Sequence, residues 1–296
     1  MSKTRSSIGL WAFIWGAYSE SPIPHEKAVE TVAGMGFDGV EVAAYEPYFS
    51  NNSSRNRRVL RKLYDDNGLD RSGLLAPFPS AVRSSTIEYL DAVKANLDIC
   101  IDVGIPMLRV ETAEPPTIVS GSPEFVKASS SAAANWNAAA EECAVAGVRL
   151  VWEFEPGFLF NKPSEITAMV DQVAHPNFSL LFDVCHAYMC SVYGARQTGT
   201  VEVLAGGILE MIQRCSGRIG HLHLNDTDGT LHDGETSTHA PLGSGLIDFD
   251  AVVPALLDAG YDDDWWVLDL CYWPKALDAT AENKVFLDGL IEKYGR

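Results

Sequence analysis

The stretch Val151–Gly157, VWEFEPG, sets two carboxylates into a run with the character of a buried strand. Extended chain alternates its side chains, so Val151, Glu153 and Glu155 share one face, and Trp152 and Phe154 share the other. A carboxylate buried on its own is strongly disfavoured, so these residues need a cation, a partner or a wet cavity. Three later stretches repeat the theme. FDVCH carries Asp183 with His186 three residues on, GHLHL puts His221 and His223 on one face, and VLDLC ends on Asp269. Taken singly, an inward histidine is usually a satisfied core residue and an aspartate at a strand end usually caps the next helix. Four such groups at equivalent strand ends predict instead one shared metal site.

The elements that must position them alternate regularly. Eight apolar, β-branched segments read as strands: IGLWAFI, GVEVAAY, RSGLLAPF, PMLRVET, VRLVWEFE, FSLLFDV, RIGHLHLN and DWWVLDLC. Helical segments separate them, among them HEKAVETVAGMGF, the long STIEYLDAVKANLDICIDVG and the Ala-rich run from Pro123 to Gly147. Eight strand–helix units without a break in composition predict an α/β protein whose residues 1–296 form a single (β/α)8 barrel, in which site residues gather where strands end. A doubly wound sheet is the alternative, but no GxGxxG turn follows the first strand. The stretch Asn225–Leu246 is rich in Gly, Asp and Thr and reads as a long loop after the seventh strand; it could close over a bound molecule, but its His232 and His239 read first as solvent-exposed loop residues.

The chain has 296 residues and a formal net charge of −18, from 40 acidic residues against 22 lysines and arginines. That balance repels phosphate backbones and anionic membranes, so neither nucleic acid nor a membrane surface is an expected partner. One basic patch, Arg55, Arg57, Arg58, Arg61 and Lys62, reads as the solvated face of a helix. Six cysteines form no CxxC pair and read as reduced thiols. The apolar run after Lys3 and Arg5 lacks a small-residue cleavage site, and no stretch reaches the length of a membrane span, so the expected location is the cytoplasm.

From Gly147 onward the motifs GVRLVWEF, FDVCH, HLHLND, HAPLGSGLIDF and GYDDDWWVLDL are similar to those of the sugar phosphate isomerase/epimerase superfamily. These are the xylose-isomerase-like TIM barrels, which include ketose 3-epimerases, inosose isomerase and dehydratase relatives, and endonuclease IV. The resemblance implies one divalent cation on Glu153, Asp183, His223 and Asp269, with His186 contacting substrate oxygens and Glu155 facing the substrate. Three positions depart from the ketose 3-epimerase pattern: Asp269 stands where a glutamate is usual, and Leu159 and Gly229 replace a glutamate and an arginine. Dimers and tetramers are common among such proteins, so a homo-oligomer is one expectation, and a small second subunit is another.

Three carboxylates and an imidazole suit Mn²⁺ first, then Mg²⁺, Co²⁺ or Zn²⁺. The expected chemistry is proton abstraction beside a carbonyl, followed by isomerisation or epimerisation of a sugar, keto-sugar or cyclitol. Glu153 is the first candidate base and Glu155 the second, with Asp269 and His186 as opposing acids. The alternative is a lyase on a keto-sugar, such as an inosose dehydratase or a subunit that deglycosylates 3-keto-glycosides, because elimination does not need two matched bases. Endonuclease activity fits poorly with this charge and with seven histidines in all. A non-catalytic sugar-binding barrel is the remaining reading. Aromatics at strand ends would meet apolar sugar faces: Trp11, Phe13 and Trp15 on the first strand, with Tyr45, Phe78, Tyr188 and Trp273 past others. Trp15 and Trp273 join His186 and Glu155 as the expected substrate contacts. Glu41 and Glu111 also face the barrel mouth and rank below the ligands.

Overall fold

A computed structural model describes residues 3–296. Eight strands run parallel in one sheet: β1 (Arg5–Ile8), β2 (Gly39–Ala43), β3 (Asp70–Leu75), β4 (Met107–Val110), β5 (Arg149–Glu153), β6 (Phe178–Asp183), β7 (Ile219–Leu224) and β8 (Trp265–Leu268). Their order is β1-β8-β7-β6-β5-β4-β3-β2, and a parallel bridge between Gly9 and Glu41 draws the two ends together into a nearly closed barrel. Helices surround the ring, and among the described residues none is long and apolar enough to cross a membrane.

Seven of the eight expected strands overlay the observed ones; the first is displaced. β1 is RSSI, while Leu10–Phe13, inside the expected strand IGLWAFI, forms a 3₁₀ turn with all four side chains buried. Hydrophobicity marks burial but not conformation, and this apolar run fills the barrel mouth. The polar strand is made possible by partners distant in sequence. The Ser7 hydroxyl lies 2.7 Å from that of Ser72 on β3, and Asp38 accepts from the backbone and hydroxyl of Ser6. Trp11, Phe13 and Trp15 therefore do not share a strand face.

The ring interior is layered. Met107, Val151 and Leu181 form a small apolar cluster separate from the main core. Two residues further along the same faces come Arg109, Glu153 and Asp183, so an apolar floor supports a charged layer above it. The main core lies between ring and helices. Trp136 of the helix Pro123–Val145 packs at 5.0 Å on Trp152 and 5.7 Å on Phe178, and its indole donates to the Tyr89 hydroxyl at 2.9 Å. Serine caps start the helices at Ser54, Thr86 and Pro123, each accepting a backbone N–H with its hydroxyl. The basic helix Ser54–Asp66 leaves Arg55, Arg58, Arg61 and Lys62 exposed, and Arg57 pairs with Asp102 at 2.7 Å. All six cysteines are buried and free.

His25, at the start of the helix His25–Gly34, stacks on Tyr48 at 4.2 Å and meets the Tyr64 hydroxyl at 3.0 Å. Burial pulls its imidazole down from the ordinary 6.5 to about 4. Between those values the unfolded chain binds a proton that folded His25 does not, so stability falls as pH drops from about 6.5 to about 4. His25 accounts for on the order of 2 kcal/mol of that slope after allowance for its partial exposure. Urea titrations at pH 7 and pH 5 should show a smaller acid loss for His25→Gln than for the wild type; equal losses would remove His25 from the account.

Candidate active site

The C-terminal ends of the strands converge on one charged cluster. Register alone sets Asp183 opposite His223, and Glu153 pairs with Leu181, one step below Asp183 on its face. Asp269 lies one residue past β8. Glu153, Asp183, His223 and Asp269 are all buried. His223 Nδ1 is the common point: Glu153 Oε1 lies 3.2 Å from it, Asp269 Oδ2 3.5 Å and Asp183 Oδ2 3.7 Å.

What frees that nitrogen is Glu41. Its Oε2 accepts from Nε2 of His223 at 3.0 Å and sits 3.1 Å from Nε2 of His221. A proton on Nε2 leaves Nδ1 with a bare lone pair aimed at the carboxylates. Nδ1 of His223 and both oxygens of Glu153 have no hydrogen-bond partner despite being buried. Among the described residues, Glu153, Asp183 and His223 form one of three groups whose ligand atoms lie within 4.8 Å of one another. A buried carboxylate and a buried imidazole nitrogen without partners, with two further carboxylates beside them, fit a divalent cation. Without one, burial opposes a charged His223, yet Glu41 and the carboxylates outweigh it and hold its pKa well above the usual range.

Each carboxylate is also anchored from behind. Asp183 Oδ1 accepts the His186 backbone N–H at 2.8 Å, capping the short helix Val184–Tyr188, while Oδ2 accepts from Asn225 at 2.7 Å. The capping role and the cluster role are thus filled by one residue. Asp269 Oδ1 accepts from the Trp11 indole at 3.0 Å and from Cys271 N at 2.8 Å. Glu153 Oε2 is paired with Arg109, whose same Nη2 reaches Glu111 at 2.5 Å.

Above the cluster opens a cavity of about 400 Å³, walled by Trp15, Tyr45, Glu155, His186, Tyr272 and others. Glu155 lies past the end of β5, accepts from Thr236 at 2.7 Å and stands 3.4 Å from His186 Nε2. Burial, with Glu111 nearby, raises its pKa to about 8. His186 Nδ1 lies 2.9 Å from the Ser237 hydroxyl, and burial lowers its pKa to about 3, leaving a neutral imidazole. Trp273 is absent from the cavity wall; its neighbour Tyr272 is there, turned in by a positive φ of 61°.

The long loop is where the sequence reading needs correction. Asp226 accepts from the backbone of Thr227, Gly245 and Ile247, which ties its two ends together. A small hairpin of Leu231–His232 and Thr236–Ser237 folds inward. His239 is consequently buried, with Nδ1 3.3 Å from Asp269 Oδ1, instead of exposed. His232 is partly buried and stacks on Tyr272 at 4.3 Å. Glu41, expected to face the barrel mouth, sits instead under the cluster, bonded to His221 and His223. Arg109 was passed over altogether, although the alternation of MLRV signals an arginine inside a buried strand.

Glu41→Gln keeps the shape of the side chain but removes the charge that fixes His223. Calorimetric titration with Mn²⁺ should show affinity weakened roughly 10- to 100-fold. Affinity equal to wild type would mean that Glu41 does not set the His223 tautomer.

Residues 29–288 match the family model described as xylose isomerase-like TIM barrel. Inosose dehydratase of Erwinia tasmaniensis is 24% identical over 266 residues, which cover 82% of this chain and 81% of that protein. The solved structure of the IOLI protein with a binding zinc atom superposes with a TM-score of 0.73 at 18% identity, over 98% of this chain and 99% of that one. A D-tagatose 3-epimerase-like protein gives 0.71 at 18% identity, with the same coverage of 98% and 99%. The two structural likenesses show the fold, and the family model adds the descent: this chain belongs to the xylose isomerase-like TIM barrel family.

Proposed function

We propose that this protein is a divalent-metal-dependent enzyme that abstracts a proton beside the carbonyl of a keto-sugar or cyclitol and returns it to give an isomer or epimer. The observation that carries the reading is the convergence of three buried carboxylate oxygens on the bare Nδ1 of His223, at the floor of a cavity that holds an acid and a neutral imidazole. Glu153, Asp183, His223 and Asp269 would hold one cation, Mn²⁺ before Mg²⁺, Co²⁺ or Zn²⁺. Such an ion supplies fixed positive charge against the negative charge that develops on substrate oxygens.

The chain's own residues divide the remaining work. Glu153 Oε2 is paired with Arg109 and Asp269 Oδ1 with Trp11 and Cys271, and the remaining oxygen of each would face the cation, which disfavours either as the proton carrier. Glu155 faces the cavity beside His186 and becomes the preferred base, in place of Glu153. Its carboxylate takes the proton, and the C–H electron pair forms the C=C of an enediolate as the carbonyl pair moves onto oxygen. The resulting carboxylic acid protonates the former carbonyl carbon while the adjacent hydroxyl proton passes to the former carbonyl oxygen, giving the isomer; proton delivery to the opposite face of the original carbon gives the epimer. His186, held by Ser237, positions a substrate oxygen. Trp15, Tyr45 and Tyr272 offer ring faces to the apolar side of a sugar. The reading places the enzyme in the cytoplasm, with residues 1–296 acting as one domain.

A lyase is the second reading, favoured because Glu155 beside His186 has no matched base that the ketose 3-epimerase pattern would set opposite it. If Glu155 passes the abstracted proton to a β-hydroxyl, water leaves and an unsaturated carbonyl compound remains, which requires no second base. The similarity to an inosose dehydratase points the same way.

Plasma mass spectrometry should find about one Mn²⁺ per wild-type chain, and much less in Glu153→Gln and Asp183→Asn. D-tagatose and an inosose, incubated with Mn²⁺-loaded protein in heavy water, separate the outcomes by NMR. Deuterium at the carbon beside the carbonyl means isomerase or epimerase, and a new olefinic signal means lyase. Glu155→Gln should retain metal and lose roughly 100-fold or more in turnover, as expected for a general base. Wild-type protein that takes up no metal would sink the proposal.

A further inference from the structure

Two arginines line the cavity, Arg109 and Arg196. Arg109 is committed to Glu111 and Glu153. Arg196 is partly exposed, and among the described residues its side chain makes no hydrogen bond, ion pair or ring contact. The acids of the same wall are engaged elsewhere. Glu111 meets Arg109, Glu155 meets Thr236, Asp233 meets His232 and Asp269 meets Trp11, while Glu235 is exposed.

An arginine on an open surface is satisfied by water, but the backbone of Arg196 sets it apart. Its φ is +56°, in the left-handed region that disfavours any residue with a Cβ. Such outliers persist where the surroundings enforce them, and they gather at binding sites. The enforcement comes from the next two residues. Gln197 donates from Nε2 to the carbonyls of Cys190 at 2.9 Å and Glu202 at 3.1 Å, and its Oε1 accepts the Glu202 N–H at 2.6 Å. Thr198 donates to the Ile118 carbonyl at 3.1 Å. The loop is thus pinned to itself and to the segment after β4, while the guanidinium it presents to the cavity stays unpaired.

We infer that Arg196 binds a carboxylate of the substrate, so that the molecule turned over is a sugar acid and not a neutral sugar. This rests on the reading of the cavity as the site of a keto-sugar or cyclitol, and narrows it. The planar fork of a guanidinium matches the two oxygens of a carboxylate. One unpaired arginine among five acids in the wall suits a single negative charge. The double charge of a phosphoryl group would meet the same acids less favourably.

Three ligands that differ only at C6 test this by calorimetry on Mn²⁺-loaded protein: D-tagatose, with a hydroxyl there, D-tagaturonate, with a carboxylate, and D-tagatose 6-phosphate. Wild type should bind D-tagaturonate roughly 10- to 100-fold more tightly than D-tagatose, the range for hydrogen bonds to charged groups. D-tagatose 6-phosphate should bind more weakly than D-tagaturonate. The preference for D-tagaturonate should vanish in Arg196→Gln. Arg196→Lys, which keeps the charge without the fork, should retain only part of it, and this variant decides if the glutamine variant fails to fold. Equal wild-type affinity for D-tagatose and D-tagaturonate overturns the inference and leaves the proposed function standing. A preference that survives intact in either variant also overturns it, since another group then reads the carboxylate. Tighter binding of the phosphate than of the carboxylate overturns the choice of anion. Wild type that binds none of the three overturns the inference and the keto-sugar reading together.

Discussion

Glu153, Asp183 and Asp269 place three carboxylates within 4 Å of one imidazole nitrogen, in a ring whose walls exclude water. Like charges at that spacing in a low-dielectric interior repel strongly, and burial penalises each ion separately. Such a cluster persists only if positive charge enters it. Arg109 supplies part, His223 and His239 supply more when protonated, and a divalent cation would replace those protons. Most of the local architecture follows from this requirement. Asn225, Trp11 and the backbone of His186 and Cys271 all direct hydrogens at the carboxylates: Asp183 accepts on both oxygens, while Asp269 has Oδ1 anchored and Oδ2 turned toward His223.

Glu41 extends the same logic below the cluster. One carboxylate oxygen serves two imidazoles, and the chain of contacts continues from His221 to Asp263 at 3.5 Å and from Asp263 to Arg149 at 2.6 Å. Acidic and basic side chains alternate from the outer rim of the ring to its centre. The arrangement holds His223 in one tautomer without any residue near the substrate having to move. The apolar side chains of Met107, Val151 and Leu181 inside the ring leave these charges weakly screened.

Asp269 links the cluster to the cavity. Aspartate is a methylene shorter than glutamate, and here Oδ1 is committed to Trp11 and Cys271 while Oδ2 faces His223. Glu155 stands outside the cluster beside His186. The inward hairpin seals this side of the cavity, with Ser237 buttressing His186 and Thr236 holding Glu155.

The barrel, the order of its eight strands and the four residues that meet at its mouth were legible in the sequence. Alternation is local, and the period of two forces Glu153, His221 and His223 to point inward once the strands are recognised. Asp183 and Asp269 could be read because strand ends are marked by the turn residues that follow them. The first strand was misplaced because burial, not conformation, is what the apolar run IGLWAFI encodes; the polar strand beside it depends on Ser72 and Asp38, far away in the chain. His239 was misread for the same reason: a loop rich in Gly and Asp looks solvated until Asp226 ties its ends and turns it inward. Arg109 on Glu153 and Glu41 beneath two histidines are pairings across strands, set by barrel stagger and closure. Residue types and periodicity thus determined which groups face the ring, whereas tertiary structure alone decided which oxygen stays free, because hydrogen bonds between distant segments assign each lone pair its partner.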